Sequence, residues 1–89
     1  MAQGADPKDK IQEFQTLNGL MRDGLAALES RRFAESAATF ARLRKAGADS
    51  FQVHFYEGRA LAGLGRARDA EARFARTLEL MPTYGEAYL

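Results

Sequence analysis

The chain has 89 residues. A chain of this length buries only about 60–65% of its unfolded surface, which is enough for one hydrophobic core and excludes a two-domain enzyme. Thirteen basic and twelve acidic residues give a net charge of +1, which is too near balance to indicate a nucleic-acid or membrane partner. Cysteine is absent, so disulfides and thiolate metal sites are excluded.

Composition favours helices. Hydrophobic residues make up 46% of the chain, but seventeen of them are alanines, so the core must be thin. Among the large apolar residues only Ile11 and Val53 are β-branched, whereas Ala, Leu, Arg and Glu are plentiful. We therefore expect an all-α fold.

The first six residues are small and polar, and we expect residues 1–6 to form a disordered start. They lack the cationic start and apolar stretch of a signal peptide, and no window approaches the roughly 18 apolar residues that span a bilayer. Asp6 and Pro7 suit the opening of a helix, so a single helical domain is expected over residues 7–89. None of these features indicates a cellular compartment.

Apolar residues recur at helical spacing between consistent breaks, which predicts four helices. They cover about residues 8–29, 33–46, 51–64 and 67–80, and a fifth opens near Tyr84. The sequence leaves open whether the first helix is one rod or breaks near Asn18 and Gly19. Whether residues 7–16 form a separate capping helix is equally open.

The breaks between the predicted helices carry residues suited to helix ends. Gly47 and Gly65 stand where a helix end favours a left-handed residue. Asp49 or Ser50 can accept hydrogen bonds from the first free amides of the third helix. Pro82 ends the fourth helix, because the residue before a proline is displaced from the helical region.

A period of 34 residues organises the chain. This offset relates Gly24 to Gly58, Ala26 to Ala60, and the tripeptide 40–42 to the identical tripeptide 74–76. The second copy carries the small residues Gly58 and Ala70, the large Leu61 and the aromatic Phe74. It also carries Gly65 at a turn and the terminating Pro82. Close packing explains this pattern, since the small residues let two antiparallel helices approach and Phe74 fills the space between them.

With these residues the sequence resembles the tetratricopeptide repeat family, whose unit is a helix–turn–helix of about 34 residues. The resemblance implies antiparallel hairpins stacked as a right-handed superhelical fragment, an α-solenoid. One repeat covers about residues 17–50 and the next about 51–84, and a third begins at 85–89. His54 and Glu57 depart from the family pattern, and the first repeat matches it less well, with Asp23 in a place usually held by Leu.

The third repeat is cut off after about six residues, too few for a helix without its packing partner, so we expect the chain to belong to a longer protein. Two repeats are also fewer than the roughly three that such arrays need for stability, so we expect either that the segment from Pro7 to Gln15 packs as a cap or that self-association covers the open end. The string from Asp6 to Ile11 resembles the joint that precedes repeat segments in some bacterial sulfatase-like fusion proteins. That resemblance implies a C-terminal repeat segment of a larger bacterial protein.

In the tetratricopeptide family the first helix of each repeat lines a concave groove that binds a protein segment. The resemblance implies that this groove is lined by Asn18, Met21, Leu25, Leu28, Glu29, Gln52, Phe55, Arg59 and Ala62. Phe55, with Arg59 one turn later, offers an aromatic surface and a guanidinium that binds carboxylates. The alternative is that Met21, Leu25 and Leu28 only cover the apolar stripe of Ile11 and Phe14. The clamp with which some members grip the C-terminal carboxylate of heat-shock chaperones is not expected, because Met21, Leu25 and Tyr56 occupy its places.

The remaining polar residues give little indication of chemistry. Arg42, Arg44 and Lys45 lie in the last turns of a helix, where cations offset the exposed carbonyls. His54 is the only histidine and is expected to be a packed or half-exposed side chain without a catalytic companion. The segment 63–65 is expected to be a helix-to-helix turn, since no strand precedes it.

The expected function is therefore a protein–protein interaction scaffold that binds a peptide or a neighbouring domain in a concave groove. We expect no enzyme activity, no cofactor, no metal and no nucleic-acid or membrane partner. The alternative is a self-association or spacer segment of a larger enzyme, such as a sulfatase-like fusion protein.

Overall fold

The computed structural model describes the backbone of residues 7–83 and the side chains of residues 16–83. This part of the chain forms four α-helices and no strand. They are α1 (Pro7–Glu29), α2 (Phe33–Lys45), α3 (Phe51–Gly63) and α4 (Ala67–Leu80). The expected all-α fold and its four helices are confirmed, and α1 runs unbroken through Asn18 and Gly19. The expected disordered start and fifth helix lie outside the described residues.

The turns inside the two hairpins are built alike. Arg31, between α1 and α2, has a φ of 62°, and Gly65, between α3 and α4, has a φ of 79°. In each turn the residue after the left-handed one donates its amide hydrogen to the carbonyl five residues before it. The distance is 2.8 Å from Arg32 to Ala27 and 2.9 Å from Arg66 to Leu61. Each turn therefore ends its first helix with one left-handed residue. The expectation for Gly65 is confirmed, whereas the left-handed Arg31 was not foreseen.

The connection between α2 and α3 is longer. Gly47 is left-handed, with a φ of 103°, as expected. Ser50 is the N-cap of α3, and its hydroxyl accepts a hydrogen bond from the Val53 amide at 3.4 Å. Of the two expected capping residues, Ser50 therefore caps α3, and the Asp49 carboxylate instead accepts hydrogen bonds from other side chains.

Each hairpin is closed by an aromatic ring lying on a glycine. A Cβ placed on Gly24 would lie 2.8 Å from Cζ of Phe40, and one placed on Gly58 would lie 2.7 Å from Cε1 of Phe74. Only glycine allows such an approach without displacing the ring. In both hairpins a ring of the second helix therefore lies against the backbone of the first helix.

The core consists of two apolar clusters that share Tyr56. The first is centred on Leu28, Ala37, Ala60, Leu61 and Ala70, and the second on Phe40, Leu43 and Val53. Successive helices pack against each other, and α1 also touches α3 over a short stretch. Within the described residues no Cα atom of α2 lies within 8 Å of a Cα atom of α4. Helix α3, the first helix of the second hairpin, is therefore the helix that packs on the first hairpin.

Candidate functional site

The predicted groove residues of α1 differ in burial. Asn18 and Glu29 are exposed, whereas Met21 and Leu25 are half-buried and pack against the Phe40 cluster. Leu28 is buried in the other cluster, together with Ala37, Ala60 and Leu61. Leu28 is therefore a core residue, and Met21 and Leu25 offer only part of their surface to a ligand.

On α3 the predicted groove residues also differ in their exposure to solvent. Gln52, Arg59 and Ala62 are exposed, but Phe55 is only 8% exposed. The Phe55 ring meets the Phe74 ring at a centroid distance of 5.8 Å. The guanidinium carbon of Arg59 lies 6.0 Å from the centroid of Phe55, within cation–π range. Phe55 is thus a buried support beneath Arg59 and not an open aromatic platform.

The four predicted residues of α3 share one helical face. Gln52, Phe55, Arg59 and Ala62 recur at intervals of three or four residues, which places them on one side of the helix. The buried Glu57 and Leu61 lie on the other side. We use the name α1/α3 face for the predicted groove residues that keep exposed surface: Asn18, Met21, Leu25, Glu29, Gln52, Arg59 and Ala62. Arg59 contributes an exposed cation to it.

Arg44 and Glu57 form an ion pair between α2 and α3 that was not predicted from the sequence. Arg44 Nε donates to Glu57 Oε1 at 2.8 Å and Arg44 Nη2 to Oε2 at 3.1 Å. The Glu57 side chain is 6% exposed and that of Arg44 29%. The hydrogen bonds to Glu57 raise the pKa of the Arg44 guanidinium above its usual value. Arg44 therefore pairs with a buried carboxylate, in addition to lying at the end of its helix.

His54 belongs to a polar network that joins the α2–α3 connection to α4. The His54 residue is 2% exposed, and its two ring nitrogens contact Asp49 Oδ1 and Arg73 Nη1. Arginine is always a donor, so His54 Nδ1 accepts from Arg73 and Nε2 carries the proton donated to Asp49. Arg76 donates to the other oxygen of Asp49 at 3.1 Å. Hydrogen bonds from His54 and then from Arg76 lower the pKa of Asp49.

This network fits a structural role better than a chemical one. Both nitrogens of His54 are occupied, and the ring has almost no contact with solvent, so a substrate has no access to it. The expectation of a packed histidine is confirmed, but its two partners, Asp49 and Arg73, were not foreseen. They come from the α2–α3 connection and from α4, and no sequence spacing relates them to His54.

Within residues 16–83 the structure shows no group of three histidine or carboxylate side chains placed to hold a metal ion. None of the described helices combines the length and the apolar character needed to cross a membrane. No protein-family model matches the chain, and no curated protein and no solved structure is significantly similar to it. The chain's own surfaces are therefore the basis on which a function can be proposed.

Proposed function

We propose that this chain is a helical-repeat module that binds a protein segment on the α1/α3 face. In this proposal the two hairpins are tetratricopeptide-like repeats, and their stacking is the first part of a right-handed superhelix. The segment is a peptide of a partner protein or part of a neighbouring domain.

The repeated construction of the hairpins supports the repeat assignment. The two glycine–phenylalanine contacts, Gly24 with Phe40 and Gly58 with Phe74, are 34 residues apart. The left-handed residues Arg31 and Gly65 are separated by the same offset. A protein that binds through stacked hairpins needs each repeat to present its first helix in the same way. This regularity therefore favours an interaction scaffold.

The state of Arg59 is the observation that carries the binding proposal. Its side chain is exposed and lies over the Phe55 ring, and it makes no ion pair within the described residues. A guanidinium backed by an apolar ring binds a ligand carboxylate more strongly than a fully hydrated one, since part of its desolvation has already occurred. The half-buried Met21 and Leu25 add apolar surface from α1.

Selection of a displayed random-peptide library on the purified chain tests this proposal. Enriched peptides are expected to carry a carboxylate and to bind Arg59→Ala at least tenfold more weakly. Arg68→Ala is the matched control, because Arg68 is also exposed and unpaired within the described residues but lies on α4. Equal binding to the wild type and Arg59→Ala, or no enrichment at all, would contradict peptide binding on this face.

Self-association is the second candidate function, and the surface of α4 favours it. Leu78, Leu80 and Met81 are 44%, 38% and 36% exposed. Phe74 is only half-buried, whereas its counterpart Phe40 is fully buried and stacks on Tyr56 at 5.6 Å. Sedimentation equilibrium over a concentration series distinguishes the two functions. A dimer that Leu78→Asp dissociates would support self-association through α4, and a monomer at all concentrations would contradict it.

A further inference from the structure

A groove with a volume of about 530 Å³ lies between α2 and α4, with α3 as its floor. The apolar part of its lining is made of Ala34, Ala37, Ala38, Ala41, Leu61, Leu64 and Ala72. The groove exists because the backbones of α2 and α4 stand apart and because alanine side chains are too short to fill the space between them. Leu64 is 39% exposed at one end, so apolar surface remains open to water.

This groove, which we name the α2/α4 groove, is distinct from the α1/α3 face. Its residues on α3 are Glu57 and Leu61, and Leu64, the C-cap of the helix, continues the same side at helical spacing. At 3.6 residues per turn, Arg59 and Ala62 lie on the opposite side of α3. A ligand in the α2/α4 groove therefore leaves the α1/α3 face free.

The charges along the groove are predominantly positive. Its two carboxylates are already paired within the groove, Glu57 with Arg44 and Asp69 with Arg66 at 3.3 Å. Two further cations, Lys45 and Arg73, also line it. Lys45 makes no ion pair within residues 16–83, and Arg73 donates to the neutral ring of His54. The uncompensated charge of the groove is thus about +2, on the side chains of Lys45 and Arg73.

We propose that the α2/α4 groove binds an acidic, leucine-bearing segment of a partner protein. The leucine side chains lie on the alanines, and the carboxylates pair with Lys45 and Arg73. A basic segment is repelled by the same two cations. The volume falls in the range of about 300–1,000 Å³ typical of ligand pockets, so it holds a few side chains and not a whole helix.

Two synthetic hexapeptides test the charge requirement on the full chain. One is acetylated and amidated Glu-Glu-Leu-Leu-Glu-Glu, and the other replaces each glutamate by lysine. In heteronuclear NMR titrations we expect the acidic peptide to shift the amide resonances of groove residues such as Ala38 and Ala72, and added salt to weaken its binding. The basic peptide should leave these resonances unchanged. Equal shifts with both peptides, or none in the groove with the acidic one, would overturn the proposal.

Matched variants test the position of the peptide. Ala38→Leu fills the groove and should lower the affinity for the acidic peptide at least tenfold, whereas Ala62→Leu adds the same bulk on the α1/α3 face and should not. Both alanines are exposed helical residues, so both variants are expected to fold. Lys45→Glu should also weaken binding tenfold, with Arg42→Glu on the same helix as its control. If only Ala62→Leu removes binding, the peptide occupies the α1/α3 face, which contradicts this groove and supports the proposed function.

Discussion

The ring of Phe40 lies so close to Gly24 that a Cβ at position 24 would be 2.8 Å from its Cζ atom. Phe40 is fully buried, so its ring cannot shift towards solvent and can move only by displacing its core neighbours. The corresponding contact of Gly58 is equally short, but Phe74 is only half-buried. The two contacts are therefore alike in geometry and differ in how easily each ring can be displaced.

We expect Gly24→Ala to lower the free energy of unfolding by about 1–3 kcal/mol, since it overpacks a filled space. Gly58→Ala should lower the free energy of unfolding by less than Gly24→Ala does, because Phe74 can shift towards solvent. Gly19→Ala is the control: its added Cβ meets only Arg22 Nη2, at 3.8 Å, and alanine favours the helix by about 1 kcal/mol. Urea denaturation of the three variants measures these differences. A Gly24→Ala variant as stable as Gly19→Ala would contradict the close contact.

The two hairpin turns give a second matched pair. Arg31→Gly should stabilise the fold by about 0.5–1 kcal/mol, because glycine adopts the left-handed conformation without steric cost. Gly65→Ala should destabilise it by about 1 kcal/mol for the same reason. Thermal unfolding of both variants should show melting-temperature changes of opposite sign. Changes of the same sign would show that the two turns are not equivalent.

The ion pair of Arg44 and Glu57 predicts an asymmetric mutational response. Arg44→Ala leaves a carboxylate of 6% exposure without its partner and should cost about 2–4 kcal/mol. Glu57→Leu removes the buried charge and should be nearly neutral. The double variant should recover most of the stability lost in Arg44→Ala. A double-mutant cycle by chemical denaturation checks this, and strictly additive costs would argue against a buried pair.

The lowered pKa of Asp49 predicts a loss of stability in acid. Because the folded state binds the Asp49 proton less tightly than the unfolded state, the contribution of Asp49 is fully present above its ordinary value of 3.8. It is lost as the pH falls through the lower pKa of the folded state. In melting experiments between about pH 2 and pH 6, the wild type should lose more stability than Asp49→Asn below about pH 4. Parallel curves for the two proteins would contradict this role of Asp49.

Local features explain why the helices could be predicted so closely. Gly47, Gly65 and Pro82 mark helix ends through their own backbone preferences, and those preferences do not depend on tertiary contacts. The position of Phe74 against Gly58 was expected from close packing, since a small residue lets two antiparallel helices approach and an aromatic side chain fills the space between them. The left-handed Arg31 could not be predicted in this way, since arginine has no preference for that conformation.

The surfaces were less predictable than the helices. Phe55 was expected to be an open aromatic surface, but the Phe74 ring of the next helix covers it. Glu57 and His54 are departures from the family pattern, and the structure pairs them with Arg44 and with Asp49 and Arg73. Such pairs join residues with no regular spacing, so only the packing of helices brings them together. The α1/α3 face itself remains a prediction.

The position of α3 between α2 and α4 has a consequence for folding. Each helix packs mainly on its neighbour in the chain, so the contact order is low and the entropy lost in closing loops is small. We expect rapid folding for this reason. Cooperativity then depends on the packing of α3 on α2, since a substitution that weakens this packing without unfolding either helix would uncouple the hairpins and produce two transitions in place of one.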